Sequence, residues 1–342
     1  MIKLSVRVVV LLLALSAASC KKDDESVMKI EPIVYVGGTV QIGNSSQVKY
    51  WRDGIEFPMD TDTDGIGLSL FVDEYEVYIA GQGPTGPNIA AKYWKNQLAV
   101  NLTKETTSYI NEILSIANSI FVFDKNVYVA GSEWNGSHLI AKYWKNGIPV
   151  DLTDGSKDAE ATSVCVEGGN VYTVGYERIG PNSIAKYWKN GKVVNLTDGS
   201  SSAYAQAVTI VNNDVYILVN DSRSGISYWK NGEKVKVTDS EPKTIAYGIF
   251  VSGLDVYVVG GEWNGNAYQG KYWKNGQGID IRDGDNYTVT NSIYIFDDDV
   301  YIGGYVSPYG KLATAAYWKN GVITKLTNGV NPSYTSGIYV CK

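Results

Sequence analysis

The chain has 342 residues, with 30 Lys and Arg against 36 Asp and Glu and a formal net charge of −6. That length suits one large body or two ordinary domains, and the acidic balance disfavours nucleic acid and other polyanions as partners. Tyr (26), Gly (36) and Trp (9) are plentiful while Phe, Met and Pro are few, a composition that points to an all-β fold built from aromatic strands and Gly-rich turns.

The first segment stands apart. Lys3 and Arg7 form a charged start, residues 8–15 are apolar, and Ser16-Ala17-Ala18-Ser19 is a run of small residues ending at Cys20. This pattern predicts a secretory signal over 1–19, too short to span a membrane in the mature protein. Small residues directly before a Cys resemble a bacterial lipobox, with Ala17 where Leu is commonest. The resemblance implies that Cys20 becomes the lipidated first residue. The charged tract Lys21-Lys22-Asp23-Asp24-Glu25 resembles the signal that routes lipoproteins of some Gram-negative bacteria to the outer face of the outer membrane. Residues 20–29 are therefore expected to be a lipidated tether, and residues 30–342 the folded body. Removing residues 1–19 takes two bases and no acid, leaving 28 against 36. Cys165 and Cys341 fall in or beside apolar strands of distant units, which predicts two buried free thiols.

One phrase then organises the chain. Tyr-Trp-Lys-Asn-Gly occurs with its Tyr at Tyr143, Tyr187, Tyr228, Tyr272 and Tyr317, preceded by worn copies at Tyr50 and Tyr93. Successive Trp residues lie 43, 50, 44, 41, 44 and 45 positions apart, and a period near 45 matches a four-stranded propeller blade. The fourth unit lays out the parts: an apolar strand at 163–166, a second at 171–174, a loop at 176–182, a third strand at 184–189, an Asn-Gly hairpin, and a last strand at 193–196. Asn-Gly suits a type I′ turn because both positions need positive φ. The second strand recurs as Val-Tyr, from Val34-Tyr35 to Val300-Tyr301, and often ends in paired glycines, as at Gly37-Gly38, Gly260-Gly261 and Gly303-Gly304. An apolar strand ending in Gly-Gly and followed by Tyr and Trp resembles the Kelch propeller repeat, with Tyr and Trp adjacent here. The likeness is architectural and carries no ligand with it.

The two ends predict how the ring closes. The N-terminus enters at a second strand, 33–36, and the C-terminus ends in a segment, 336–340, that reads as a first strand. The expected fold is thus an all-β, seven-bladed β-propeller in which the C-terminal strand pairs into the N-terminal blade and removes the open edge. Between the second and third units, Ile110, Ile113, Leu114 and Ala117 fall at helical spacing, which predicts a short rim helix over 107–118 or an extended loop there.

In this frame the first strand lines a channel and runs from an upper to a lower face, so the tether attaches below and the upper face looks outward. The Lys of each repeat forms a lower outer ring of solvated charges. The upper loops after each fourth strand are acidic, which favours a cation or a basic partner. Seven Trp residues belong to the repeat and are expected to pack between blades. Trp134 and Trp263 do not. They stand in Glu133-Trp134-Asn135-Gly136 and Glu262-Trp263-Asn264-Gly265, in the same upper loop of two units three steps of about 51° apart. Exposed aromatics beside carboxylates and amides can stack on sugars or anchor a protein. These residues, with Glu177 and Arg178, are the candidate ligand site.

Asp60-Thr61-Asp62-Thr63-Asp64-Gly65 has the first half of a calcium loop, with oxygen ligands at alternate positions and then Gly, while Phe71 stands where the bidentate Glu is expected. Asp60, Asp62 and Asp64 are the candidate calcium ligands, and no other cofactor is expected. The one His, His138, cannot build a multi-His metal centre, and no Gly-x-Ser-x-Gly surrounds a serine. The expected function is a lipid-anchored, non-catalytic binding or scaffolding module for an extracellular glycan or protein. The alternatives are a glycan-active hydrolase or lyase using a carboxylate pair among Glu133, Glu177 and Glu262, and a structural spacer in a surface complex.

Overall fold

Each residue of the repeated phrase has a distinct place in the computed structural model, which describes residues 31–342 apart from 60–63, 86–87, 104–114, 240–242, 285 and 308–309. The Asn-Gly turn has both residues at positive φ, 51° at Asn146 and 80° at Gly147. Its side chain also ties two hairpins together. Asn146 Oδ1 accepts the backbone N–H of Val127, which begins the second strand, at 2.9 Å, and the Asn146 N–H donates to the Val127 carbonyl at 2.8 Å. The same pair of bonds recurs at Asn96, Asn190, Asn231, Asn275 and Asn320, and at Asp53 in the first worn copy.

The Lys before it lies over the ring of the second-strand Tyr, 5.0 Å away at Lys189–Tyr172 and 5.4 Å at Lys145–Tyr128. In four blades that ammonium also pairs with an acid: Lys95–Glu76, Lys230–Asp214, Lys274–Asp255 and Lys319–Asp299. The lower lysine ring is therefore held by cation–π and ionic contacts rather than being freely solvated.

The repeat Trp residues are 0–6% exposed and each wedges against the blade before it. Trp144 packs on Tyr78, Ala80, Ala91 and Leu102, and Trp188 on Tyr128, Ala130 and Ala141. Small alanines on one blade leave room for an indole from the next, so neighbouring blades interlock by size.

Seven four-stranded antiparallel sheets result. In blade four the strands are Ala159–Glu167, Asn170–Ile179, Asn182–Lys189 and Lys192–Asn195. The expected loop over 176–182 is mostly strand, because pairing continues through Glu177–Ile184 and Arg178–Ser183 to Ile179–Asn182, leaving a tight turn at Gly180-Pro181. Blade one joins the two ends of the folded region as expected: Ile33–Ile42 pairs with Ser333–Cys341 in the register Val34–Val340, Tyr35–Tyr339 and Val36–Ile338. The rim-helix reading fails at its C-terminal end. Ser115–Phe123 is the inner strand of blade three, pairing Ser115 with Glu133 and Ala117 with Gly131, and residues 107–114 lie outside the described residues. Cys165 and Cys341 are both unbridged, the first buried and the second half-buried.

Every inner strand carries one β-bulge, at Leu68, Asn118, Thr162, Gln206, Tyr247, Asn291 and Ser336. The bulge explains the second-strand glycines. A Cβ at Gly38, Gly81, Gly131, Gly175, Gly260 or Gly304 would lie 1.8–2.2 Å from a carbonyl oxygen of the bulged strand. The bulged side chains also stitch blade to blade: Asn118 donates to the Ala161 carbonyl at 3.0 Å, Thr162 to Ala205 at 2.6 Å and Asn291 to Thr335 at 2.6 Å. One residue further down, the hydroxyls of Ser69, Ser119 and Ser163 accept backbone N–H groups of the following blade at 3.3 Å. Below these an aromatic arc runs Phe250–Tyr294–Tyr339–Phe71–Phe121, with ring centroids 4.8–6.1 Å apart. The inner strands of all seven blades enclose a channel of about 440 Å³.

Candidate functional site

The two non-repeat Trp loops are copies of one turn. In blade three Asn135 Oδ1 accepts the N–H groups of Ser137 and His138 at 2.9 and 2.8 Å, and the Asn135 N–H donates to the His138 carbonyl. In blade six Asn264 does the same for Asn266 and Ala267 at 3.0 Å. Gly136 and Gly265, at φ 100° and 98°, let the chain reverse. The Asn side chain thus satisfies the turn internally and fixes the Trp that precedes it. Trp263 is 40% exposed and meets Tyr268 edge to face, centroids 5.3 Å apart; Trp134 is half-buried. Neither lines the channel cavity.

The candidate carboxylates are engaged by lysines that the sequence reading left unassigned. Two positions before the repeat Trp, five of the seven copies carry Lys: Lys49, Lys92, Lys142, Lys186 and Lys271. Strand alternation puts this Lys on the Trp face, opposite the second-strand Gly and diagonal to the next outward side chain. Lys142 bonds Glu133 and sits 3.1 Å from Asp151; Lys186 lies 2.8 Å from Glu177; Lys271 lies 2.8 Å from Glu262 and 3.4 Å from Asp280. The side chains of Lys142 and Lys186 are 7% and 11% exposed, so each ammonium depends on its carboxylate for charge compensation. Arg178 stays largely exposed, 4.0 Å from Asp158.

Lys142→Ala would leave Glu133 and Asp151 facing each other without their cation. Because both acids retain solvent contact, the expected loss is about 1–3 kcal/mol in urea denaturation, with Lys142→Met recovering part of it through its packed stem. An unchanged midpoint for Lys142→Ala would remove the structural role assigned to the pair.

Much of the upper acidity is also used locally. Asp154 and Asp198 accept from Ser156 and Ser200, bonds that hold both carboxyls below their usual range. Asp158 accepts from the Leu139 N–H and meets His138 at 3.3 Å, and Asp283 pairs with Lys325 at 3.0 Å. Asp64 accepts from the Ser45 hydroxyl and, at 3.0 Å, the Ser46 N–H. Asp60 and Asp62, its two expected partners on calcium, lie outside the described residues, as does Cys20. Among the described residues no three His, Cys, Asp or Glu side chains converge as a metal site.

A second feature escaped the sequence reading, a tyrosine lip at the upper mouth of the channel. Tyr204, Tyr247 and Tyr334 stand on inner strands at or just above the bulge, and Tyr176 and Tyr305 on second strands beside them. Tyr305 and Tyr334 meet edge to face at 5.0 Å and Tyr176 and Tyr204 at 4.9 Å. Burial, with the neighbouring hydroxyls of Tyr247 and Tyr334, pushes the Tyr305 phenol up. Burial, with the Tyr268 hydroxyl, does the same for Tyr247. Aligning the seven inner strands on their bulges would have exposed this set, but a bulge leaves no mark on a single strand's residue types.

No protein-family model matches this chain, and no curated protein matches it. Solved structures do. A prolyl endopeptidase superposes with a TM-score of 0.50 at 8% identity, over 89% of this chain and 50% of that one. TolB from Acinetobacter baumannii gives 0.48 at 11% identity over 90% and 83%, and the Trypanosoma rangeli sialidase in complex with sialic acid gives 0.48 at 9% over 81% and 54%. The chain spans about half the length of the endopeptidase and sialidase chains. At 8% identity the likeness to the endopeptidase is one of fold alone.

Proposed function

We propose that this chain is a lipid-anchored β-propeller on the outer membrane, facing the cell exterior and acting as a non-catalytic binding or scaffolding module for an extracellular glycan or protein. The observation that carries the reading is the pair of identical Trp turns. Each is held by its own Asn before any partner arrives, and Trp263 keeps 40% of its surface open. A rigid aromatic that needs no ordering on contact binds with little entropic loss. The commitment of Glu133, Glu177 and Glu262 to lysines favours capture over hydrolysis, which needs a free pair of carboxyls flanking the bond. The anchor follows from the Cys20 signal, and the tether joins a strand, Ile33–Ile42, whose start lies against the lower Asp53-Gly54 turn.

The test uses the mature protein on a glycan array and, on whole cells, mild cross-linking with co-purification. Trp134→Ala combined with Trp263→Ala should lower capture at least about tenfold without lowering the melting temperature. Cys20→Ser should move the protein out of the membrane fraction. Capture that survives both Trp substitutions would remove these loops from the site, and sugars released from the array would replace the reading with a glycan-active enzyme. A Cys20→Ser protein that stays with the membrane would remove the lipid anchor.

A further inference from the structure

We propose that the upper mouth of the central channel binds an uncharged carbohydrate, with the sugar ring against the tyrosine wall of blades six, seven and one and its hydroxyls on the polar ring of bulged residues. This deepens the reading of the chain as a binder of extracellular ligands and rests on it.

The first support is the charge pattern. In a chain with 30 basic and 36 acidic residues, none of the described side chains lining the channel carries a charge. At that level the channel presents amides and hydroxyls from Asn118, Thr162, Gln206, Asn291 and Ser336. A charged ligand entering there would lose its hydration with no counter-ion to replace it, whereas a neutral polyol exchanges water hydrogen bonds for protein ones. The cavity, about 440 Å³, falls within the roughly 300–1,000 Å³ range of small-molecule pockets.

The second is the aromatic wall. Tyr247 and Tyr334 are 42% and 36% exposed at the mouth, and Tyr305 and Tyr334 meet edge to face. Tyr268, whose hydroxyl neighbours Tyr247, meets Trp263 edge to face. Aromatic rings that are held by their neighbours yet keep part of their surface exposed offer fixed stacking surfaces. Their hydroxyls remain neutral donors, since burial raises the Tyr247 and Tyr305 phenols.

The third is unused bonding capacity in the floor. Ser336 Oγ is buried without a partner, and it lines the channel. Gln206 lines it too, and its amide makes no bond within the described residues. Asn118, Thr162 and Asn291 are fixed by their bonds to the next blade, which pre-orients the ring. Just above the bulges the only carboxylate among the described inner-strand residues is Glu160, which accepts from Asn118 at 2.7 Å and Tyr176 at 3.0 Å. A single engaged carboxylate gives these described inner-strand residues no acid and base pair.

Isothermal calorimetry of the mature protein would use neutral cello-, xylo-, manno- and laminari-oligosaccharides, with oligogalacturonate as the charged comparator. At least one neutral oligosaccharide should bind while oligogalacturonate does not. Tyr247→Ala should weaken that binding at least about tenfold, and Tyr247→Phe much less. Gln206→Leu, which leaves the aromatic wall intact, should also weaken it, so the floor is tested even if Tyr247→Ala disturbs folding. No neutral oligosaccharide bound at millimolar concentration, a preference for oligogalacturonate, or binding unmoved by both Tyr247→Ala and Gln206→Leu would overturn the proposal. Binding lost only in the Trp134 and Trp263 double variant would also overturn it, while leaving the broader reading as an extracellular binder standing.

Discussion

A chain ending at residue 332 should lose its cooperative unfolding transition altogether. The last strand, Ser333–Cys341, is the innermost ribbon of blade one and pairs along Ile33–Ile42 from Cys341–Ile33 to Ser333–Val40. Its Ile338 and Val340 are 7% and 1% exposed and share a core with Val34, Val36, Trp51 and Tyr301. Burial of two such side chains contributes about 1.5–3 kcal/mol each. Deletion would also uncover the core they cover and the unpaired edge of Ile33–Ile42. It would cut two further ties to blade seven, the Asn291 bond to the Thr335 carbonyl at 2.6 Å and the Ser333 hydroxyl bond from the Ala315 N–H at 2.9 Å. Together these approach the whole stability of a typical domain, about 5–15 kcal/mol. Circular dichroism on heating should show no sigmoidal transition and size-exclusion chromatography should show aggregates, while deletion of Lys342 alone leaves both unchanged. A truncated chain that melts as the full one does would show that the ring does not depend on this strand.

That closure was legible because strand order in a propeller is periodic. A chain that enters on Val-Tyr and leaves on Gly-Ile-Tyr-Val has its first strand displaced to the end, and residue types alone report it. The repeat phrase was legible as turn and wedge, but only part of its chemistry showed. Asn146 reads as a type I′ turn residue, and nothing in Asn-Gly reveals that its Oδ1 also accepts from Val127, nineteen positions earlier. The second-strand glycines read as a motif, whereas their cause is a bulge in the neighbouring inner strand: a Cβ at Gly175 would lie 1.9 Å from the Glu160 carbonyl oxygen. Ala117 shows the opposite error, since it fits a helical spacing with Ile110, Ile113 and Leu114 yet sits in a bulged strand and pairs with Gly131, fourteen positions further along the chain.

The candidate site was legible in its loops and not in its surroundings. Glu133-Trp134-Asn135-Gly136 and its copy in blade six are local turns, and local chemistry determines them. Glu133 looked like a free acid because Lys142 is nine residues away across a hairpin. The tyrosine lip gathers residues from first and second strands of five blades, so only the ring geometry collects them. Sequence reasoning finds what neighbours in the chain determine, and in this protein the interior of the channel is determined by neighbours around the ring.

The blade-to-blade wedges carry the second large effect. Trp144 is fully buried and fills a space floored by Ala80 and Ala91 of blade two and by Ala117 of its own inner strand. Trp144→Ala should therefore destabilise by about 3–5 kcal/mol, because the surrounding strands are fixed by their ladders and cannot collapse into the gap. Trp144→Phe should cost much less. The indole Nε1 is buried without a partner, so replacing it removes an unsatisfied donor along with part of the packed volume. The complementary change tests the same fit from the other side: Ala91→Leu places bulk where the indole lies and should cost about 1–3 kcal/mol by overpacking. Combining Ala91→Leu with Trp144→Phe should recover part of that loss, since the smaller ring admits the larger neighbour. Urea unfolding of the wild type, Ala91→Leu, Trp144→Phe and the double variant forms a double-mutant cycle, and a coupling energy near zero would mean that blades two and three do not interlock through this pair. A clear coupling would locate part of the ring's cohesion in an alternation of Trp and Ala, a feature of the repeat that a blade cannot satisfy alone.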